Sequence, residues 1–258
     1  MISDTLVMLR RNLLRIVHTP QLLVFSTIQP VLFVLLFRYV FGGSIKLPGV
    51  NYVDYLLPGI MVQTTMFAGG QTAIGLAEDS KSGLLDRFRS LPMARSAVLF
   101  GRTMSDSVRG LFVALLMIAV GFLVGFRFHN GFVPAVGGIA VAVLFGFAIA
   151  WFFAFMGLSL RDPETAQVAS FLPIFPLVFA SSVFVRTDSL PSWLAAFARN
   201  QPISKIANAV RVLMQGHPRM ARLGISESAG VLFLQSVAWM AVIVAVFAPL
   251  AVRKYRRG

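Results

Sequence analysis

One internal segment concentrates the residues that could do chemistry, and the chemistry that they suit is docking to a partner protein. It occupies residues 78–107, between the second and third apolar stretches, and its charged part runs from Glu78 to Arg95. Helical spacing puts one apolar face on this segment and Pro92 ends it; the face comprises Leu84, Leu85, Phe88 and Leu91. Such an amphipathic helix can lie in a groove on a partner or on a lipid surface, and the residues alone leave both possibilities open.

Polar side chains inside the apolar stretches form a second group of candidates. Burying such groups in hydrocarbon is costly without partners, so they should face protein or a water-filled path. We expect them to line a path for an amphipathic substrate, with hydrogen bonds between helices as the alternative. The candidates are Gln63, Thr64, Gln71, Gln167, Ser170 and Ser181.

The sequence lacks the residues that several other kinds of chemistry require. The chain has no cysteine, which excludes thiolate chemistry and disulfides, and its three histidines lie too far apart to suggest a metal site. The carboxylates that we place near the apolar stretches, Asp106, Asp162 and Glu164, lie at their edges. This argues against a proton-coupled carrier and against an intramembrane enzyme such as a lipid transferase, although a membrane scaffold without transport stays possible.

The sequence also lacks the usual signature of a nucleotide-binding loop. No Gly-x-x-x-x-Gly-Lys-Ser/Thr sequence occurs, so any phosphate-binding loop must come from another polypeptide. We therefore expect this chain to bind no cofactor itself and to have no catalytic or metal-binding residues.

The composition indicates an integral membrane protein. Of the 258 residues, 57% are hydrophobic, and the mean hydropathy is +0.79, whereas soluble domains are about 45–50% apolar. The net charge of +13 fits basic residues on the cytoplasmic side and against anionic lipid. It does not indicate nucleic-acid binding, because no basic run has interleaved aromatic residues on a polar face.

The pattern predicts an all-α polytopic fold, in one domain over 1–258, with six transmembrane helices. The predicted spans are 21–41, 55–77, 108–126, 132–158, 166–185 and 229–252. An amphipathic helix over 4–18 should lie in the membrane interface. A helical segment over 186–228 should hold two short helices, outside the membrane or re-entrant. Its second helix begins at Pro202, ends at Gly216 and has an apolar stripe of Ile203, Ile206, Val210 and Met214, with Leu213 as the alternative to Met214.

The distribution of basic residues predicts the orientation. The N-terminus, the loop over 78–109, the loop at Arg161 and the C-terminus carry about 14 of the 23 lysines and arginines. Both termini should therefore be cytoplasmic.

Two sets of motifs resemble the permease subunits of type-2 ABC exporters, in the daunorubicin-resistance branch of actinobacteria. The first set is Leu-Pro-Gly-Ile-Met-Val-Gln at 57–63, Ala-Ile-Gly-Leu-Ala-Glu-Asp at 73–79 and Asp-Arg-Phe-Arg-Ser-Leu-Pro-Met-Ala-Arg-Ser-Ala-Val-Leu at 86–99, followed by Gly101 and Arg102. The second is Phe-Val at 184–185, Leu-Pro-Ser-Trp-Leu at 190–194 and Asn-Gln-Pro-Ile at 200–203, ending at Arg211 and Gly216. The likeness covers the whole chain in order, although Arg186 stands where this branch suggests proline.

The resemblance implies a mechanism and its partners. The helix over 83–91 becomes a coupling helix seated in a cytoplasmic ABC ATPase, and the segment over 186–228 becomes an outer re-entrant element. Two ATPase copies, carrying ATP and Mg, would drive a pair of permeases, either two copies of this chain or one copy and a paralogue, in a bacterial cytoplasmic membrane. The exported molecules would be hydrophobic or amphipathic drugs, antibiotics or lipids, with lipid-linked glycans as the alternative. The implied coupling residues are Glu78, Asp79, Gly83, Arg87, Phe88, Leu91, Pro92 and Arg95.

Overall fold

A computed structural model describes residues 2–18, 20–42, 47–90, 95–160, 162–184 and 186–257. Across these ranges the backbone is helical except for turns, short connections and one isolated bridge between Leu47 and Val50. The predicted all-α fold class is confirmed.

Eleven α-helices are described in these ranges. They are α1 Ile2–His18, α2 Pro20–Leu36, α3 Tyr52–Lys81, α4 Leu84–Arg89, α5 Arg95–Leu123, α6 Phe132–Leu160, α7 Pro163–Phe179, α8 Ser192–Asn200, α9 Pro202–Gln215, α10 His217–Ala221 and α11 Ala229–Arg257. A π-helical turn, Phe37–Phe41, continues α2, and a short 3₁₀ turn, Thr187–Ser189, precedes α8.

Three of the described helices are long and apolar enough to cross a membrane. They are Ser96–Leu123 of α5, Phe132–Leu160 of α6 and Ala229–Arg256 of α11, and a shorter apolar helix covers Thr27–Val40. Each of the three is 28 or 29 residues long, which exceeds the roughly 20 residues needed to span a bilayer. Large apolar side chains on α6 and α11, such as Leu144 and Leu234, are exposed, as expected for surfaces that meet lipid.

Helix α3 is the centre of the bundle. It packs against α6, α7, α9, α5 and α2. Nearly every residue from Tyr52 to Ala77 is buried on all sides of this helix, which is the behaviour of a helix with no solvated face. Close packing requires small residues here, because a Cβ on Gly157 of α6 would lie 2.3 Å from the Ala73 carbonyl oxygen.

The helices α3 and α5 extend past the predicted spans. The charged segment predicted over 78–107 is therefore mostly helical: α3 continues to Lys81 and α5 already begins at Arg95. The physical reason is pairing, since Arg102 of α5 binds Asp79 of α3 at 2.8 Å. Polar residues that satisfy each other allow a helix to continue beyond its apolar stretch.

Helix α7 ends earlier than predicted. It stops at Phe179, and the following residues, Ser181–Phe184, are buried without being helical. The predicted span over 166–185 treated this apolar run as helix. The helix α9 lies against this break with its predicted stripe (Ile203, Ile206, Val210 and Met214) fully buried.

The two short helices of the 186–228 segment are α8 and α9. Gly216 ends α9 with φ +88°, a backbone conformation that favours glycine. Pro191 precedes α8, and the Ser189 hydroxyl donates to the Arg186 carbonyl oxygen.

Candidate functional site

A cavity of about 450 Å³ lies among α2, α3, α5, α6 and α7. Aromatic side chains form much of its wall, including Phe67, Phe171, Phe175 and Phe179. Three of these rings follow one another along α7, with centroids 5.7 Å apart for Phe171 and Phe175 and 5.5 Å apart for Phe175 and Phe179. An apolar, partly open cavity of this size is typical of sites for drug-sized ligands.

A few polar groups interrupt the apolar wall. Gln63, Thr64 and Gln71 of α3, Gln29 of α2 and Arg109 of α5 line the cavity. The Thr64 hydroxyl donates to the Ile60 carbonyl oxygen at 2.8 Å. Three of the six residues predicted for a substrate path therefore lie on one cavity wall, all from α3.

The other three predicted path residues lie elsewhere on α7 or at its end. Gln167 is on an exposed face. The Ser170 hydroxyl donates to the Ala166 carbonyl oxygen at 2.6 Å, and the Ser181 hydroxyl donates to the Val178 carbonyl oxygen. The hydroxyls of both serines thus donate to carbonyl oxygens of α7.

A chain of charges joins the cavity wall to the C-terminal end of α3. Asp79 binds Arg102, whose Nε lies 3.9 Å from Asp106, and Asp106 lies 3.4 Å from Arg109. Thr72 also donates to Asp106 at 2.8 Å. The side chains of all four charged residues are 13–18% exposed. Buried charges persist only when they are paired, so this chain of charges ties α3 to α5.

Helix α4 uses its apolar face inside the chain. Leu85 is 2% exposed and belongs to a cluster with Met8 and Tyr255, while the guanidinium of Arg11 lies 4.7 Å from the centre of the Phe88 ring. Leu85 and Phe88 therefore pack against other residues of this chain, rather than in a groove on a partner.

The opposite side of α4 and the end of α3 are open to solvent. Glu78 and Arg87 are exposed, whereas Asp79 is held by Arg102. Gly83 precedes α4 with φ +71°, a left-handed conformation that lets the chain turn sharply between the two helices. Leu91 and Pro92 lie outside the described residues, and Arg95 is described only as the first residue of α5.

An exposed ion pair connects this surface to α7. Lys81 at the end of α3 binds Asp162 at 3.0 Å, and Asp162 caps α7 by accepting the Thr165 N–H. The Thr165 N–H, the Lys81 ammonium and the Thr165 hydroxyl lower the pKa of Asp162 to about 2. The hydrogen bond to Asp162 raises the pKa of Lys81, so both groups are charged near neutral pH.

The residue with the densest polar contacts, Arg211 of α9, was noted in the sequence only as the end of a motif. It is fully buried and its guanidinium stacks 3.7 Å from the centre of the Tyr55 ring. It donates to the carbonyl oxygens of Tyr55, Ser182 and Val183 at 2.7–2.8 Å. An arginine between Val210 and Val212 in an apolar helix was the signal available in the sequence.

Asp54 was also overlooked among the carboxylates near the predicted spans. It is fully buried in the first turn of α3, accepts the Arg127 N–H at 3.1 Å and lies 3.7 Å from the His129 ring. His129 also contacts Gln215 at 2.8 Å. These residues join the start of α3 to the end of α9. No group of three or more His, Asp or Glu in the described ranges has the arrangement of a metal site.

Comparison with known proteins agrees with the resemblance noted in the sequence. The family model for the ABC-2 type transporter matches residues 3–214. The daunorubicin resistance ABC transporter permease protein DrrB1 of Streptomyces coeruleorubidus is 34% identical over 257 residues, which cover 99% of this chain and 87% of the relative. The probable doxorubicin resistance ABC transporter permease protein DrrC of Mycobacterium tuberculosis is 28% identical over 259 residues, which cover 100% and 90%.

A more distant relative extends the likeness beyond drug-resistance proteins. The putative transport permease ycf38 of Cyanophora paradoxa is 24% identical over 220 residues, or 82% of this chain and 74% of the relative. The extent of the family match, together with the identity to DrrB1 and the three long apolar helices, leads to one conclusion. The chain is an integral membrane protein that belongs to the ABC-2 type transporter family.

Proposed function

We propose that this chain is the permease subunit of an ATP-driven exporter that moves hydrophobic or amphipathic drugs or lipids out across the cytoplasmic membrane. The observation that carries the proposal is the aromatic-lined cavity within a chain of this family. Two relatives whose names refer to daunorubicin or doxorubicin resistance match nearly the whole chain, which favours drugs over other cargo. In this proposal six helices span the bilayer, and both termini are cytoplasmic.

The energy for transport comes from a separate ATPase in this proposal. Two ATPase subunits bind ATP and Mg, and each docks on one of two paired permeases. The docking surface is the exposed side of α4 and the adjoining end of α3, where Arg87 and Glu78 face solvent. Because α4 already packs its apolar face inside the chain, the contacts with the ATPase are polar, and Arg87 pairs with an acidic rim.

The fold supplies a physical link between docking and the cavity. Movement of α4 pushes on the end of α3, where Asp79 is tied through Arg102 and Asp106 to Arg109 on the cavity wall. A second link runs from Lys81 to the cap of α7, the helix that carries the row of cavity phenylalanines. The ATPase therefore acts on two cavity walls, and its preference for one arrangement of these walls shifts the population between inward-facing and outward-facing states.

The test is reconstitution with the ATPase that co-purifies with the tagged permease from native membranes. We expect that ATPase to carry a phosphate-binding loop and to drive doxorubicin uptake into inside-out vesicles. Arg87→Glu should reduce both recovery of the ATPase and transport at least tenfold, because it places a like charge against the acidic rim.

The matched control is Arg222→Glu, an exposed arginine between α10 and α11, which should leave both readouts at the wild-type level. Normal recovery and transport in Arg87→Glu would refute the docking surface. If the wild-type permease purifies without any ATPase and the vesicles show no ATP-dependent uptake, the exporter assignment itself fails and a scaffold is favoured.

A further inference from the structure

A stacked pair of phenylalanines lies just beyond the lined part of the cavity. Phe184, in the non-helical break after α7, is 6% exposed. Its ring contacts a lining ring from each of two walls, with centroids 5.5 Å from Phe179 of α7 and 6.0 Å from Phe33 of α2. Phe37, in the π-helical turn after α2, stacks on Phe184 with centroids 4.6 Å and planes 11° apart. The pair therefore joins the α2 wall to the α7 wall beside the cavity.

This pair lies at the end of the bundle opposite α4. The Tyr52 hydroxyl, at the start of α3, donates to the Phe184 carbonyl oxygen at 3.1 Å. The cavity residues of α3 begin only at Ile60, and α4 follows the other end of α3. In the π-helical turn, Arg38 Nε donates at 3.3 Å to the carbonyl oxygen of Val124, which follows α5. A molecule that leaves the cavity toward this end must therefore pass the pair.

The Phe184 side of the pair is held in place by buried hydrogen bonds. Arg211 donates to the carbonyl oxygens of Ser182 and Val183. The Ser182 N–H donates to the Ser204 hydroxyl oxygen at 2.9 Å. Displacing this segment would leave several buried polar groups without partners at once, which is costly. The Phe184 ring therefore has a rigid support.

The Phe37 side stands on a backbone that can change its hydrogen bonding. Phe37–Phe41 is a π-helical turn, a rare conformation that is frequent at functional sites. Tyr39 and Val40 of this turn are 73% and 62% exposed, so little packing within the described chain opposes its movement. A return to α-helical hydrogen bonding would shift the register by one residue, or about 100° around the helix axis. A rotation of this size separates Phe37 from Phe184.

We propose that Phe37 and Phe184 form a gate that closes the cavity at the end opposite α4, with Phe184 as the fixed side and Phe37 as the moving side. The inference rests on the proposed function for its direction, since the orientation given there makes this end the outer one. The rings of Phe171, Phe175 and Phe179 lead along α7 to the gate. A ring-bearing molecule can replace one ring contact by another as it leaves, because flat rings favour each other's faces and edges.

The experiment measures access to the cavity through one engineered thiol. Because the chain has no cysteine, Thr64→Cys on the cavity wall carries the sole thiol of the permease. The membrane-impermeant reagent MTSET is added to right-side-out and to inside-out membrane vesicles, and modification is followed by mass spectrometry. In right-side-out vesicles, Thr64→Cys should react at least about tenfold more slowly than Ser226→Cys in the exposed connection before α11, because the open state is a minor population.

Three variants in the Thr64→Cys background locate the gate. Phe37→Ala removes the stacked ring and should raise the rate in right-side-out vesicles about tenfold or more. Phe37→Tyr keeps the ring and should leave the rate near that of Thr64→Cys alone. Arg38→Met removes the hydrogen bond to the end of α5 and should raise the rate roughly two- to tenfold, the value of one hydrogen bond.

Phe155→Ala is the matched control in the same background. Phe155 of α6 is also half-buried, and its ring lies 6.2 Å from that of Phe247 between centroids. The two rings belong to the cluster with Met8 and Tyr255, and neither lines the cavity. Phe155→Ala should therefore leave the modification rate unchanged.

Two results overturn the gate. One is modification of Thr64→Cys as fast as that of an exposed cysteine in both vesicle types, a result that needs no gate variant to fold. The other is an unchanged rate for Phe37→Ala in both vesicle types. A rise confined to inside-out vesicles supports the gate but reverses the proposed orientation. The assay needs neither ATPase nor substrate, so a failure of doxorubicin transport in the same vesicles counts against the proposed function alone.

Discussion

Replacing Arg211 by methionine should destabilise the bundle severely, although this residue lies away from the cavity wall. All five N–H groups of the guanidinium are used: Nε to the Tyr55 carbonyl, Nη1 to Ser182 Oγ and Asn208 Oδ1, and Nη2 to the carbonyls of Ser182 and Val183. The carbonyls of Ser182 and Val183 belong to the buried non-helical break after α7. In such a break each carbonyl must find a donor within the protein.

The magnitude follows from the acceptors that lose their donors. The Arg211→Met variant leaves the Val183 carbonyl oxygen unsatisfied, at about 1–3 kcal/mol, and removes one donor each from the carbonyl oxygens of Tyr55, within α3, and Ser182, which keeps the Tyr55 hydroxyl at 2.8 Å, at about 1 kcal/mol each. Removing a buried cation recovers part of this loss through its desolvation, so the expected net loss is about 2–4 kcal/mol. With the unfolding entropy per residue of globular proteins, a chain of this length should then lose about 4–7 °C in Tm.

The assay is thermal unfolding of the purified full-length permease in lipid–detergent micelles, followed by size-exclusion chromatography. Arg211→Lys should rescue little of the loss, because an ammonium has three donors on a flexible stem and cannot reach acceptors on three elements. Arg199→Met serves as the matched control: this arginine pairs with Asp188 at 2.8 Å with its side chain 58% exposed, so we expect less than about 1 kcal/mol. An Arg211→Met variant as stable as Arg199→Met would refute the reasoning.

Two further predictions test the packing of α3 and its link to α7. Gly157→Ala should lower the stability of the permease by about 1–3 kcal/mol in the same assay, because the new Cβ meets the Ala73 backbone. The control is Gly137→Ala on the same helix, whose Cβ meets nothing within 4 Å, so it should be neutral or slightly stabilising. Equal effects of the two substitutions would contradict the close approach of Gly157 to Ala73. The ion pair of Lys81 and Asp162 should contribute its full stability between about pH 4 and pH 10. The pKa of Asp162 is lowered to about 2, so its contribution is lost only as pH falls below the unfolded pKa near 3.9. The pKa of Lys81 is raised, so its contribution is lost only as pH rises above the unfolded pKa near 10.4. A double-mutant cycle of Lys81→Met and Asp162→Asn run at pH 5 and pH 8 should give the same coupling, and a strong change between the two would count against the assignment.

Sequence patterns predicted the helices well where periodicity and capping residues agreed. The second helix of the 186–228 segment begins at Pro202 and ends at Gly216 as expected, because proline suits a first helical turn and Gly216 adopts a positive φ. The early end of α7 could not be predicted, since a buried apolar run has the same composition whether it is helical or not. What ends the helix is a set of donors from α3 and α9, which no local pattern contains.

The cavity and the charge chain also depend on tertiary contacts. The family resemblance implied a coupling role for Asp79, whereas its ion pair with Arg102 of α5 joins residues that are 23 positions apart and follows from no local pattern. Asp54 was missed because a single carboxylate before an apolar run resembles an ordinary first-turn residue. Its burial arises only when Arg127 and His129 reach it from the connection between α5 and α6.

The hydrogen bonds of the polar residues separate architecture from substrate recognition. Ser170 and Ser181 donate to carbonyls three or four residues earlier in the chain, and every N–H of the Arg211 guanidinium donates to an acceptor within the protein. Groups satisfied in this way gain nothing from a substrate, because a new hydrogen bond would only replace an existing one. Gln63 and Gln71 differ, since both residues line the cavity. Among the six polar residues first assigned to a path, they are therefore the positions whose replacement should alter transport rather than stability.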